Sequence, residues 1–169
     1  MTDPRELMSV CADDFLLVAR LSARDFSTEV TGLRDSGLTV RVVRGRKMVG
    51  FDGVMTEFAA ALQFPLYFGE NWAAFQECLE DMNWVPASQG IVIAVADADH
   101  VLSDDTNVDL GVLIRSFTRA RTAYSRPIEE GEWWDGPAIP FHVVLHCDPS
   151  STKGLNKWLE AGALLKPIR

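Results

Sequence analysis

The sequence predicts an α/β domain built on a parallel sheet, and three observations carry that prediction. Residues 91–96 are six apolar residues in a row with no polar alternation, the pattern of a strand covered on both faces. Segments rich in β-branched residues alternate along the chain with segments whose apolar residues recur at helical spacing, the order of a βαβ arrangement. At 169 residues and 47% hydrophobic, the chain is long enough for one sizeable core and too short for two ordinary domains.

The elements follow in order. Residues 15–21 are short and apolar, and Ser22 is placed to cap a helix running through Phe26, Val30 and Leu33 to a stop at Gly37. Residues 38–44 are β-branched and end at Gly45, after which Asp52 leads into Val54, Met55, Phe58, Ala59 and Leu62 at helical spacing. Phe64-Pro65 closes that helix, because proline drives its predecessor toward extended geometry. Gly69 leaves room for a tight turn and Asn71 caps a further helix to Met82. Beyond strand 91–96, the run Asp104-Asp105-Thr106-Asn107 reads as a helix cap. Leu110, Leu113, Ile114 and Phe117 then space a helix to about Tyr124, and residues 141–146 form a further strand. Between them, residues 126–140 hold three prolines, two glycines and the pair Trp133-Trp134, which predicts a long loop. From Ser151 the tail, with Leu155, Trp158, Leu159 and Leu165, reads as a terminal amphipathic helix.

Charge narrows the partners. The chain carries a net −8, yet residues 48–114 contain eleven acids and no lysine or arginine, so this block is −11 and the remainder +3. A concentrated field of one sign attracts a basic protein and repels nucleic acid, although acidity also serves solubility alone. No apolar run approaches a membrane span, and the first residues lack a secretion leader, so a cytoplasmic location is expected. Three widely spaced cysteines, Cys11, Cys78 and Cys147, fit neither a disulfide framework nor a four-ligand zinc site.

The helix beginning at Asn71 has two faces. Trp72, Phe75, Leu79 and Met82 make an apolar stripe for the core, whereas Ala73, Gln76, Glu77 and Glu80 share the opposite face, with Asp81 beside Glu77. Carboxylates crowded near a helix C-terminus repel one another and oppose the backbone dipole, by a few tenths of a kcal/mol each. Their retention points to a use outside folding, against the plainer reading of a solvated acidic face.

Here the chain resembles the barstar family of small cytosolic ribonuclease inhibitors. The resemblance is carried by Phe68-Gly69-Glu70-Asn71-Trp72, Ala74-Phe75 and Glu77-Cys78-Leu79, following a helix and a proline, and by the order of elements over residues 38–148. It implies a short parallel three-stranded sheet packed with helices, an N-terminal strand being a possible fourth. The implied division is an N-terminal extension at 1–37 packing on the core, a barstar-like domain at 38–148 with the loop 126–140 inserted, and a C-terminal amphipathic helix at 149–169. It also implies that the acidic helix and the loop before it cover the active-site groove of a basic ribonuclease. By position, Glu77 matches the central acid, Tyr67, Gly69 and Asn71 match contact positions, and Gln76 stands where a contacting tryptophan is known, with Trp84 as its offset substitute. Two positions depart from the pattern: Ala73 replaces a second inhibitory aspartate, and Arg119 falls about where the family has an acidic contact.

Other chemistries find weaker footing. Asp97-Ala98-Asp99 ends the apolar strand where open α/β sheets place ligands, so a divalent-metal enzyme is a third reading, set against an ordinary acidic turn. His142 and His146, four residues apart on one strand, are roughly 13 Å apart and do not share a metal. No nucleophile motif and no glycine-rich phosphate loop occurs. The leading expectation is therefore a non-enzymatic inhibitor of a basic ribonuclease or related toxin, with no cofactor, metal, membrane or nucleic acid. Glu77 is its central anion, Glu80 and Asp81 support it, and the oligomeric state is left open. The alternative is an interaction module of the same fold that binds another partner through Trp133-Trp134 and the arginine face of Arg115, Arg119 and Arg121.

Overall fold

In the computed structural model, which describes residues 3–87 and 89–168, five strands form one parallel sheet in the order β2-β3-β4-β1-β5. The strands are β1 (Leu16–Arg20), β2 (Thr39–Arg44), β3 (Ile91–Ala96), β4 (Phe141–Cys147) and β5 (Lys166–Pro167). Six helices accompany them: α1 (Pro4–Met8), α2 (Ala23–Asp35), α3 (Phe51–Leu62), α4 (Trp72–Glu80), α5 (Asn107–Tyr124) and α6 (Asn156–Glu160). Met1, Thr2 and Arg169, included in the terminal segments expected at 1–37 and 149–169, lie outside the described residues. Among those described, no helix is long and apolar enough to cross a membrane.

Strand alternation divides the core into two layers. Val43, Ile91, Ile93, Val95, Val143 and Leu145 face the layer that holds Phe58, Phe75, Leu79, Phe117 and Trp158, from α3, α4, α5 and α6. Leu17, Val40, Val92, Ala94 and Val144 face the layer made by Phe26, Val30 and Leu33 of α2 with Met8 of α1. The three-stranded expectation is thereby corrected to five strands. The N-terminal strand is an interior one: β1 pairs with β4 from Leu16↔Val143 to Arg20↔Cys147 and with β5 at Leu17 and Val18. Local pattern announced that strand, but its partner lies far along the chain and pattern alone cannot choose it.

Other expectations are corrected as well. The C-terminal amphipathic helix is five residues long: Gly162 in the left-handed region (φ 100°) follows it closely, and β5 comes next. The segment 126–140 is the long loop expected, and it is pinned through paired backbone bonds between Ile128 and Gly136 and through the Asp135 carboxylate, which accepts from the N–H groups of Glu130 and Gly131 at 3.0 and 2.8 Å. Asp105 does not cap α5; its carboxylate accepts the Phe51 N–H at 2.7 Å and so caps α3, whose own N-cap is Gly50. Gly45 is required because a Cβ there would collide with the Asp97 carbonyl oxygen. Ser22 performs as expected, accepting from Asp25 N–H at 3.1 Å.

The two β4 histidines part company. His146 Nδ1 accepts the Asp97 N–H at 3.0 Å, which makes Nε2–H the donor to the Leu21 carbonyl at 3.0 Å, and its ring stacks on Phe26 at 4.4 Å. His142 is 0% exposed and neither ring nitrogen has a partner among the described residues. Burial lowers its pKa to about 4, so the unfolded chain takes up a proton that the folded chain refuses. Stability attached to this group is intact above its unfolded value of about 6.5 and falls as pH drops toward 4, by up to roughly 3 kcal/mol. We expect His142→Leu to raise stability at pH 7 by about 1–3 kcal/mol and to flatten the decline between pH 7 and 5, as measured by urea unfolding. An unchanged slope would show that the histidine is not its source.

Candidate protein-binding site

The candidate helix is α4, and the loop before it sets its direction. Asn71, extended, accepts the Ala74 N–H on Oδ1 at 2.9 Å and donates from Nδ2 to the Gly69 carbonyl at 3.1 Å. The left-handed residue of this turn is Glu70 (φ 50°), and Gly69 leaves room for it as expected: a Cβ there would lie 3.0 Å from the Asn71 side chain. Leu66 and Tyr67 stand out from the loop, with Tyr67 86% exposed.

Packing holds the helix firmly. Phe75 and Leu79 are fully buried, and the Phe75 ring meets Phe58 edge-on at 5.0 Å and Trp72 at 5.4 Å. Trp72, half-buried, donates its indole N–H to Asp109 on α5 at 3.0 Å. At the other end the Tyr124 hydroxyl donates to the Leu79 carbonyl at 2.8 Å and accepts the Met82 N–H at 2.9 Å. Burial raises the pKa of this phenol far above its ordinary value, so it remains a donor. Both ends of α4 are thus fastened to α5.

The outward face carries Ala73 and Glu77 exposed, Gln76 and Glu80 half-buried, and Asp81 exposed just past the helix. Arg119 of α5 reaches across: its Nε donates to Glu80 at 2.6 Å and its Nη1 to Gln76 at 3.5 Å. Glu80 therefore has an internal counter-ion, as do Glu57 with Arg44 and Asp97 with Arg46. These three arginines come from outside the acidic block, so the block's charge in the fold is smaller than its sequence suggests. Among the described residues, Glu70, Glu77 and Asp81 pair with no cation.

Trp84 turns its polar edge inward. The indole N–H donates to the Leu62 carbonyl at 2.9 Å, which closes the last turn of α3. Tyr67, Glu77, Glu80 and Trp84 border one open groove of about 1000 Å³, together with Asp81 and, from the inserted segment, Trp134. Gly69, Asn71 and Ala73 sit at the N-terminal end of α4, away from that groove, and Arg119 joins it only through Glu80. Sequence reasoning missed Trp134 as a neighbour of α4, because nothing local ties residue 134 to residue 77. The arginine face also disperses, since Arg121 bonds the Ala12 carbonyl at 3.0 Å and pairs with Asp13.

The rival site is a set of satisfied groups. Asp97, left-handed at φ 49°, accepts from Arg46 Nε at 2.8 Å, and Asp99 accepts from the Ser151 hydroxyl at 2.7 Å. Among the described residues no three His, Cys, Asp or Glu side chains are placed to hold one metal ion. Cys78 and Cys147 are buried, and burial raises both thiol pKa values, which disfavours the nucleophilic thiolate.

A family model described as Barstar (barnase inhibitor) matches residues 38–146, more than half of the chain. The chain belongs to the barstar family. The match spans β2 to β4 and therefore contains α4, its preceding loop and the inserted segment, while β1, α2 and β5 of this barstar-family chain lie outside it. No curated protein matches the chain. Among solved structures, Cdc6p from Pyrobaculum aerophilum is similar with a TM-score of 0.50 at 13% identity, the match covering 90% of this chain and 38% of that one. A chain in a structure of Drosophila ORC bound to DNA gives a TM-score of 0.48 at 13% identity, covering 96% of this chain and 85% of that one. The first likeness is one of fold alone. It extends over most of the five-stranded barstar-family chain, beyond the part that the family model matches.

Proposed function

We propose that this barstar-family protein is a non-enzymatic inhibitor that binds a basic ribonuclease or related toxin with α4 and the loop before it, Glu77 serving as the central anion. The observation that carries the reading is the state of Glu77: exposed, without an internal counter-ion, on a helix fastened at both ends. A carboxylate held so meets a partner's guanidinium or ammonium without first breaking an internal ion pair, and its supporting backbone needs no rearrangement on binding. Asp81 adds charge beside it, and Glu80 serves more to position Arg119 than to meet the partner. Support for this reading over a divalent-metal enzyme comes from the engagement of Asp97 by Arg46 and of Asp99 by Ser151.

The test is inhibition of barnase, taken as the probe, at two ionic strengths. Raising salt from about 50 to about 500 mM shortens the screening length severalfold, and the inhibition constant is expected to weaken by about tenfold or more. Absence of inhibition at the lower salt would sink the proposal. The interaction-module reading has one observation in its favour, the 89% exposure of Trp133 on the inserted segment.

A further inference from the structure

The inserted segment 126–140 builds the second wall of the groove beside α4. Its backbone is held by the Ile128–Gly136 bonds and by Asp135, whose carboxyl is kept below its ordinary pKa by the N–H groups it accepts. The Trp134 indole donates to Glu130 at 2.9 Å and meets Trp133 edge-on at 5.5 Å, so a 47% exposed ring is fixed in orientation on the groove wall. Glu77 and Asp81 line the same groove, and its apolar lining includes the buried Val85 and Ile91. Among the described residues, Arg126 is the one basic residue in the lining, against three carboxylates, and Glu129, Glu130 and Glu132 add further negative charge on the insert.

Aromatic wall, anionic rim and apolar lining together suit a side chain with an apolar stem and a cationic head. The stem covers the apolar lining while the head lies over an indole and against a carboxylate. An anionic occupant is opposed by the rim, and a purely apolar one would leave the carboxylates to lose solvent without a partner. The groove is concave on this molecule, so the occupant must project from its own protein. We propose that the groove between α4 and the inserted segment receives an extended, arginine- or lysine-bearing segment of a protein partner, with a cationic side chain lying between Trp134 and Asp81. The proposal rests on α4 as the partner-binding face and adds to it a second surface reached through the insert.

The probe is a fluorescein-labelled Arg-Gly repeat peptide of eight residues, with the matching Glu-Gly peptide as control, titrated into the full chain by fluorescence anisotropy. Trp134→Ala and Asp81→Lys are expected to weaken binding of the basic peptide about tenfold or more, whereas Asp35→Lys, the same charge change on α2, leaves it within about twofold. The Trp134 indole N–H resonance should shift on titration, a readout in the unmutated chain that does not depend on any variant folding. Unchanged binding by Trp134→Ala, an equal loss with Asp35→Lys, or a stationary Trp134 resonance overturns the proposal. Failure of the α4 reading shows separately, as barnase inhibition insensitive to Glu77→Lys.

Discussion

On the proposed function, Glu77→Lys is expected to lower affinity for a basic ribonuclease by about a hundredfold or more while the melting temperature stays within about 2 °C of the unaltered chain. The two halves of that expectation come from one location. Glu77 is exposed and its side chain pairs with no cation among the described residues, so the fold loses little with it, and a lysine near the end of α4 suits the helix dipole better than a glutamate. In the complex the same change sets a cation against a cationic cleft, and the cost is that of a buried pair turned repulsive. Calorimetric titration against barnase beside a thermal melt measures both. Equal affinity for the two proteins would remove Glu77 from the interface, and a large drop in melting temperature would show that the residue is structural.

Removal of residues 1–37 is expected to abolish cooperative folding of the remainder. The family-matched segment contains β2, β3 and β4, but it supplies no helix for the layer that Phe26, Val30 and Leu33 complete. Without them Val40, Val92, Ala94 and Val144 lose their cover, and His146 loses both its stacking partner and the Leu21 carbonyl. Phe26→Ala alone should cost about 3 kcal/mol or more through lost contact and an unfilled space. A sharp two-state melt for residues 38–169, followed by circular dichroism, would show that the terminal segment is dispensable.

What the sequence disclosed and what it withheld divide along contact range. Ser22, Gly37, the β-branched run before Gly45 and the unbroken apolar stretch 91–96 act through neighbours a few residues away, and each element they announce is present. The apolar stripe Phe75, Leu79 and Met82 was legible for the same reason, since all three are buried, although α4 stops at Glu80, two residues short of the expected end at Met82. Long-range choices were not legible. Asp105 serves α3, Arg44 grips the nearly buried Glu57, and Arg119 quiets Glu80, each across a separation that no periodicity reports. Likewise Trp158 reads as one apolar residue of a helix, yet it ties that short helix to the turn after β3 by donating its indole N–H to the Ala98 carbonyl at 2.9 Å.

Growth of the sheet into neighbouring molecules is discouraged at its two open sides. Beyond β1 the last strand has only two residues, Lys166 and Pro167; both are exposed, and a proline offers no N–H to a strand arriving from outside. The opposite margin, β2, carries Arg41 and Arg44, charges that an incoming strand would have to bring close to itself. A sheet with such borders gives a second copy little to pair with, so the protein resists adding strand to strand when crowded.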